Sequence, residues 1–507
     1  MTQNRWRSFA VLTSSFLLGV VLITSAAGQT STNLKDYRLE PKQPAGELLT
    51  KMIDLRTGRV RVKGPDYEAN KQIIQQYAQF LIYRATFESY YNLPETGELK
   101  PRTSEQNFDN VISDLNSQIL VPTPEGDLKK LTLIQAEYID EFAEQIEKAV
   151  AAVFAKNPPA IIRVNTARLF ALAAKSGAPA HAKTVIAMLN NTYFKVAGKA
   201  TETPPEVLYY ALKAAENLLA SHDPKALFSD QASRHSLVPA DLTALVKILE
   251  ELVVKGPNVS DKVAPILTDP SGMPIALPPT QPPEATVTPP EGAAAPKPDT
   301  SAAPKEATPE QLAVTRYFRR QAIRALAKVR FDTLKDAPDV RPAYTLAKVA
   351  ISDPTLSLKA SPADVAEAVI GLCGMTPTNR DIQIDGWAYA IAIGVNSFVQ
   401  PRLTNNADKS LPWKATAARL NLAMTNLKVL IPNNTRLNPY RKQLGDLIEL
   451  TKADILAPLD KDVSGGVNAP TVERLGQWIA ANPPKDPSRS LYTDSPKYKL
   501  NAGQPRQ

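Results

Sequence analysis

Apolar side chains in this chain recur every three or four residues, the spacing of one helix face, in segment after segment. Ile73, Ile74, Tyr77, Phe80, Leu81, Phe87 and Tyr91 form such a stripe and predict a helix from Asp66 to about Tyr91. Phe108, Val111, Ile112, Leu115 and Ile119 predict a second after Ser104, and Ile134, Tyr138, Phe142, Ile146 and Val150 a third from Thr132 to Ala155. Downstream the pattern turns serial. Pro159, Pro179, Pro205 and Pro239 each open a short amphipathic helix, in the first turn where a missing amide has no intrahelical partner to lose. Helices this short cannot each bury a face alone, so they must stack.

Helical periodicity resumes at Pro309 and runs to about Phe331. It returns around Tyr344 to Val349, behind Ser361 and Pro362, and over Trp387 to Phe398, Trp413 to Leu430, Pro439 to Leu456 and Pro470 to Ala480. Only one stretch alternates with period two: Arg59, Arg61 and Lys63 interleave with Val60 and Val62 between Gly58 and Gly64. That pattern predicts one short strand, within an otherwise extended N-terminal segment at residues 29–65. The fold class expected is all-α: an irregular α-solenoid or helical bundles in two domains, 66–256 and 309–481.

Proline separates those domains. Residues 257–309 hold 14 of the chain's 44 prolines, a composition that resists a packed core and favours extended, polyproline-like states. Residues 257–308 therefore read as a disordered linker, a semi-stiff spacer holding two bodies apart, and residues 482–507 as a disordered tail. A hydrophobic share of 43% and a charged share of 22% exclude disorder throughout and a polytopic membrane protein.

Two stretches, Asn157 to Leu219 and Pro309 to Met375, resemble HEAT-type helical repeats. The resemblance rests on a proline near each helix start, on short polar turns, and on the alanine-rich segments Thr166 to Ala174 and Gln321 to Ala327. It implies a curved surface that binds protein or peptide, and it brings no catalytic residues with it.

The first 28 residues follow another grammar. Arg5 and Arg7 precede an apolar run from Phe9 to Ile23, then Ser25, Ala26, Ala27 and Gly28. This reads as an export signal cut after Ala27, because the run falls short of the ~20 residues a membrane span needs. An uncleaved N-terminal anchor is the other outcome, and either places the body in the periplasm or cell envelope. Cys373 is the only cysteine, so no intramolecular disulfide can form, and its apolar neighbours make it a small buried hydrophobe.

The net charge of +8 is uneven: residues 309–507 carry 27 basic against 18 acidic side chains. Its densest feature is one helix. Arg316, Arg320, Arg324 and Lys328 recur at steps of four, with Arg319 and Arg330 beside them, while Tyr317, Phe318, Ile323 and Leu326 can face a core. The expectation is a basic ridge on the surface, with Arg316, Arg319, Arg320, Arg324 and Lys328 as contacts for an anionic partner.

Chemistry-bearing constellations are sparse. The histidines are His181, His222 and His235, and no HExxH, paired CxxC, GxSxG or glycine-rich phosphate loop is present. Gly465 and Gly466 read as a turn. Ser221, His222 and Asp223 are adjacent, but neighbours on one backbone project in different directions, so they read as a helix end rather than a triad. Tyr138, Asp140, Glu141, Glu144 and Glu147 lie on one helix, with Asp140, Glu144 and Glu147 read as a solvated acidic face. No cofactor or metal is expected. The function read from these signals is an exported non-catalytic scaffold or protein-binding module of the cell envelope, its partner another protein or envelope component. One alternative is an envelope hydrolase in which Glu144 and Asp385 converge. The other is a binder of anionic surfaces through the basic helix 309–331, with lipid ahead of nucleic acid.

Overall fold

The computed structural model describes residues 37–40, 46–87, 108–119, 133–196, 199–222, 237–257, 267–268, 274–275, 309–334, 336–403, 411–457, 459 and 469–485. The export signal, most of the linker, and residues 486–507 lie outside the described residues, as do Asp223, His235, Gly465 and Gly466.

The N-terminal half contains α1 (Gly46–Thr57), α2 (Tyr67–Tyr83), α3 (Phe108–Ile119), α4 (Leu133–Ala155), α5 (Ala160–Ala173), α6 (Ala180–Leu189), α7 (Pro205–Ser221) and α8 (Pro239–Lys255). The C-terminal half contains α9 (Pro309–Leu326), α10 (Pro342–Ala350), α11 (Pro362–Gly374), α12 (Ile384–Leu403), α13 (Trp413–Asn433), α14 (Arg441–Leu450) and α15 (Ala469–Ala481). A π-helical turn, Thr451–Leu456, extends α14. The all-α expectation holds: strand among the described residues is confined to two ladders of two residues a side, β1 (Lys195–Val196) with β2 (Lys199–Ala200) and β3 (Leu267–Thr268) with β4 (Pro274–Ile275), plus isolated bridges.

Local chemistry sets many of the helix boundaries. Pro205, Pro239, Pro342 and Pro362 each occupy the first turn of their helix. Ser361 and Asp364 form a reciprocal capping box at the start of α11, each side chain bonding the other's amide. Gly177, at φ 72°, closes the 3₁₀ turn that ends α5, the left-handed conformation that only glycine adopts without strain.

Two N-terminal expectations are corrected. Residues 46–57 are the helix α1, not extended chain, and they bury Met52 and Leu55. The alternating stretch 59–63 is not a strand. Gly58 turns left-handed at φ 77°, and Gly58 N and Arg59 N donate back to Leu55 O (3.2 Å) and Asp54 O (2.9 Å), which folds the chain against the end of α1. Val62 is buried while Val60 and the cations face out, so the period of two reflects a wrapped loop. The carbonyls of Arg61 and Val62 accept from Asn70 Nδ2 at 3.2 and 3.4 Å in place of a ladder partner.

The larger correction concerns the linker. α7 and α8 pack directly on α9, α8 also touches α10, and one continuous hydrophobic cluster spans both halves. Tyr209 stacks on Tyr317 across the junction, ring centroids 5.8 Å apart. Ser357 N donates to Val254 O at 3.0 Å, Lys247 pairs with Asp339 at 3.1 Å, and a Cβ on Gly256 would stand 2.9 Å from Thr315. Proline content reports that a segment lacks its own core, not how far apart its ends lie. Within the linker, β3 and β4 pair, and β3 lies against α9. At the other end of the C-terminal half the expected tail is shortened, since Lys485 N donates to Asp385 Oδ2 at 2.7 Å.

Glycine lets the C-terminal helices approach closely. A Cβ on Gly371 of α11 would come within 2.7 Å of Leu346 and 2.8 Å of Ala327, and one on Gly394 of α12 would collide with Val369.

The shared core makes a direct prediction. Residues 309–507 expressed alone expose the α9 face that holds Tyr317, and are expected to aggregate on size-exclusion chromatography. The same segment co-expressed with residues 29–256 is expected to co-purify with it. Two halves that run as folded, independent monomers would contradict the shared core.

Candidate functional site

The helix singled out for its cations is α9, and its position changes their role. α9 is flanked by α7 and α8 on one side and α11 on another, so its basic row meets carboxylates instead of water. Arg319 is completely buried, as is its partner Asp364, with Nη2 2.7 Å from Oδ2. Arg319 also donates to Leu358 O and to Lys359 O (3.0 Å) in the loop before α11. Arg320 Nε reaches the other oxygen of Asp364 at 3.3 Å. One turn on, Arg324 Nη2 pairs with Glu367 at 2.7 Å. Arg316 is half-buried. The expected surface ridge is thus corrected for Arg319, Arg320 and Arg324, which form a seam between α9 and α11. The one-turn step from Arg320 to Arg324 along α9, four residues, faces the one-turn step from Asp364 to Glu367 along α11, three residues.

Where the seam reaches the surface it opens into a cavity of about 280 Å³, walled by α7, α9, α11 and α13. Arg324, Lys328, Arg330 and Arg419 supply its cations, Glu216 and Glu367 its anions. The two carboxylates are already engaged. Glu367 is gripped by Arg324 and by both Nη atoms of Arg419 at 2.6 Å. Burial pushes its carboxyl up, but the Arg419 and Arg324 guanidiniums outweigh that and hold it below the ordinary range. Glu216 pairs with Lys213 at 2.9 Å and stands 3.9 Å from Lys328.

The cations at the rim remain reachable. The side chains of Lys328 and Arg419 are 41% and 45% exposed, and Arg330 is exposed. Arg330 sits at φ 62°, a left-handed conformation that costs a side-chain-bearing residue about 1–2 kcal/mol. Its carbonyl accepts from Thr376 N at 2.8 Å, so the chain beyond α11 holds it there and aims the residue at the cavity mouth. Sequence reading named Arg324 and Lys328 but missed Arg330 as a contact, and missed Arg419, Glu367 and Glu216. Those residues come from α7, α11 and α13, and no spacing along the chain links them to α9.

The remaining candidates are placed as follows. His181 is buried, its Nδ1 2.6 Å from Glu147 Oε1, with Thr184 donating to Oε2 and Phe170 packed edge-on. His222 Nδ1 accepts from Leu237 N at 3.1 Å, and Ser221 Oγ donates to Lys175 O at 3.1 Å. Nδ1, the nitrogen a triad carboxylate would hold, is therefore taken by Leu237 N, and the serine donates away from the ring, so the pair forms the end of α7. The solvated acidic face on α4 is also corrected: only Glu144 is exposed, Asp140 is partly covered, and Glu147 holds His181. Glu141 is buried beside Tyr67 and Gln145. α4 is a central helix, covered by α1, α2, α5 and α6, which leaves little of it to solvent. Asp385 is buried in α12 under Lys485, and the cavity contains neither it nor Glu144. Cys373 is fully buried, 3.9 Å from Met424 Sδ, and burial pushes its thiol up to about 12, so it is a packing residue. Among the described residues no three His, Cys, Asp or Glu side chains gather as metal ligands, and no helix is long and apolar enough to cross a membrane.

Comparison with known proteins adds no assignment to this geometry: no family model, curated protein or solved structure matches the chain.

Proposed function

We propose that this protein is a non-catalytic binding module that holds an acidic polypeptide segment in the groove between α9, α11 and α13. One observation carries the reading. Four cations, Arg324, Lys328, Arg330 and Arg419, line one cavity against two carboxylates, Glu216 and Glu367. With Arg324 and Arg419 spent on Glu367, the charge left for a ligand at the mouth is positive and lies on Lys328 and Arg330. The guanidinium fork of Arg330 suits a carboxylate, which it can bind with two parallel N–H donors. The concave shape favours a chain segment over a flat lipid surface, and a partner in the cell envelope fits the export signal read from residues 1–28.

The test is fluorescence anisotropy of a labelled glutamate-rich peptide against the full chain at low and high salt. Lys328→Gln with Arg330→Gln is expected to weaken binding on the order of tenfold and to flatten its salt dependence. Both residues lie at the rim, so circular dichroism of the variant should match the parent. Absence of binding, or affinity unchanged by the double substitution, would overturn the proposal.

A further inference from the structure

The groove continues into an open helix face. Along α13, Ala415, Ala418, Arg419, Leu422, Asn426, Val429 and Asn433 are all exposed and fall on one side at steps of three and four. Leu422 and Val429 are 62% and 63% exposed, the two most exposed large apolar side chains among the described residues. They stand seven residues apart, two helical turns, the repeat of a helix-to-helix seam. Leu422 and Arg419 also line the cavity, so the apolar stripe and the cationic mouth form one surface. α13 itself carries Lys414, Arg419 and Lys428 and no acidic residue.

Deepening the proposed function, and resting on it, we infer that the bound segment is an amphipathic acidic helix. Its apolar seam lies on Leu422 and Val429, and its carboxylates meet Arg330 and Lys328 beside the Arg419–Glu367 pair. A helix laid along α13 presents apolar groups at the heptad spacing those two residues require, whereas an extended strand alternates with period two and cannot match both. A second copy of this chain is disfavoured as occupant, because α13 has no carboxylate of its own to offer a partner α13, and the neighbouring Glu449 and Glu367 are already paired with Lys428 and Arg419. An anionic bilayer would seat on Leu422 and Val429, but being flat it cannot follow the surface into the concave mouth that Lys328 and Arg330 flank.

The experiment uses the full chain and two synthetic peptides of identical composition in glutamate, alanine and leucine. One is a helix with its leucines one heptad apart, the other has them scattered around the helix. The heptad peptide is expected to bind at least about tenfold more tightly, in line with burial of two apolar anchors. Leu422→Ser with Val429→Ser is expected to abolish that difference while leaving the residual, salt-sensitive binding of both peptides. Equal affinity of the two peptides for the parent protein, or a difference that survives the double substitution, overturns the inference and leaves the groove reading intact. Loss of all salt-sensitive binding in the parent overturns the groove reading itself. Concentration-dependent self-association in sedimentation velocity that the double substitution removes would assign the stripe to a second copy and overturn the inference. Flotation with vesicles of anionic phospholipid, lost on the same substitution, would overturn it in favour of a bilayer.

Discussion

Arg319→Met should cost about 3–5 kcal/mol of folding stability, the range for removing one partner of a buried ion pair. The loss has three parts. Asp364 keeps only Arg320 Nε, 3.3 Å away, as a cationic partner. The carbonyls of Leu358 and Lys359 lose their donor, and buried acceptors without donors carry their full desolvation cost. The capping box of α11 then rests on a carboxylate with less compensation, because Asp364 Oδ2 serves both Arg319 at 2.7 Å and Ser361 N at 3.0 Å. Urea denaturation followed by circular dichroism measures the change. Arg319→Lys should recover only part of it, since an ammonium keeps the charge but cannot hold three acceptors in the plane of a fork. Arg320→Ala is the control: that side chain is 20% exposed, and water can replace part of what it provides. A cost for Arg319→Met no greater than that of Arg320→Ala would mean that the seam is hydrated and is not what holds α9 to α11.

Glu250 should make the junction of the two halves lose stability as pH rises from acid to neutral. Its Oε1 accepts from Arg341 N and from Thr345 Oγ1, both at 3.1 Å, so this α8 carboxyl holds the start of α10. Burial raises its pKa from 4.5 to about 7, against the lowering effect of the Thr345 and Arg341 hydrogen bonds and of Lys247, while Asp339 adds to the rise. The sign follows from proton counting. Between 4.5 and about 7 the folded chain keeps a proton that the unfolded chain has released, so stability falls as pH rises through this window and levels off above it. A displacement from 4.5 to about 7 corresponds to about 3 kcal/mol at most. Glu250→Gln keeps an acceptor for Arg341 and Thr345 and removes the titration. The difference in urea midpoint between parent and variant should be small near pH 4.5 and should grow to favour the variant by pH 8. Carboxyls held below their ordinary range, such as Glu367 and Glu137, weaken the fold toward acid in both proteins and cancel in the comparison. A difference that does not vary with pH would show that Glu250 is solvated at the junction.

Much of the helical framework was legible because its signals are local. The apolar stripes of α2 through α13 lie within single segments, prolines mark first turns, and Ser361 with Asp364 spells out a cap. α1 escaped because its apolar positions, Leu48, Leu49, Met52, Ile53 and Leu55, follow a polar stretch and leave Leu49 and Ile53 exposed, so its amphipathic contrast is weak. The false strand at 59–63 arose because alternation between buried Val62 and outward cations satisfies the same pattern as a pleat. The cations of α9 were found by spacing, but spacing fixes only which residues share a face and is silent on what that face meets.

The sequence by itself therefore determined the secondary structure class, most helix boundaries, the helix end at Ser221 and His222, and the concentration of positive charge on α9. Only the tertiary structure decided that the two helical halves share one core, that Arg319, Arg324 and Arg419 are held by Asp364 and Glu367, and that Lys328 and Arg330 remain at the mouth of one cavity. The physical reason is range. Backbone hydrogen bonding, capping and amphipathic periodicity act within a turn or two of the chain, whereas the charge a surface presents depends on which carboxylates, from helices far away in sequence, have already claimed its cations.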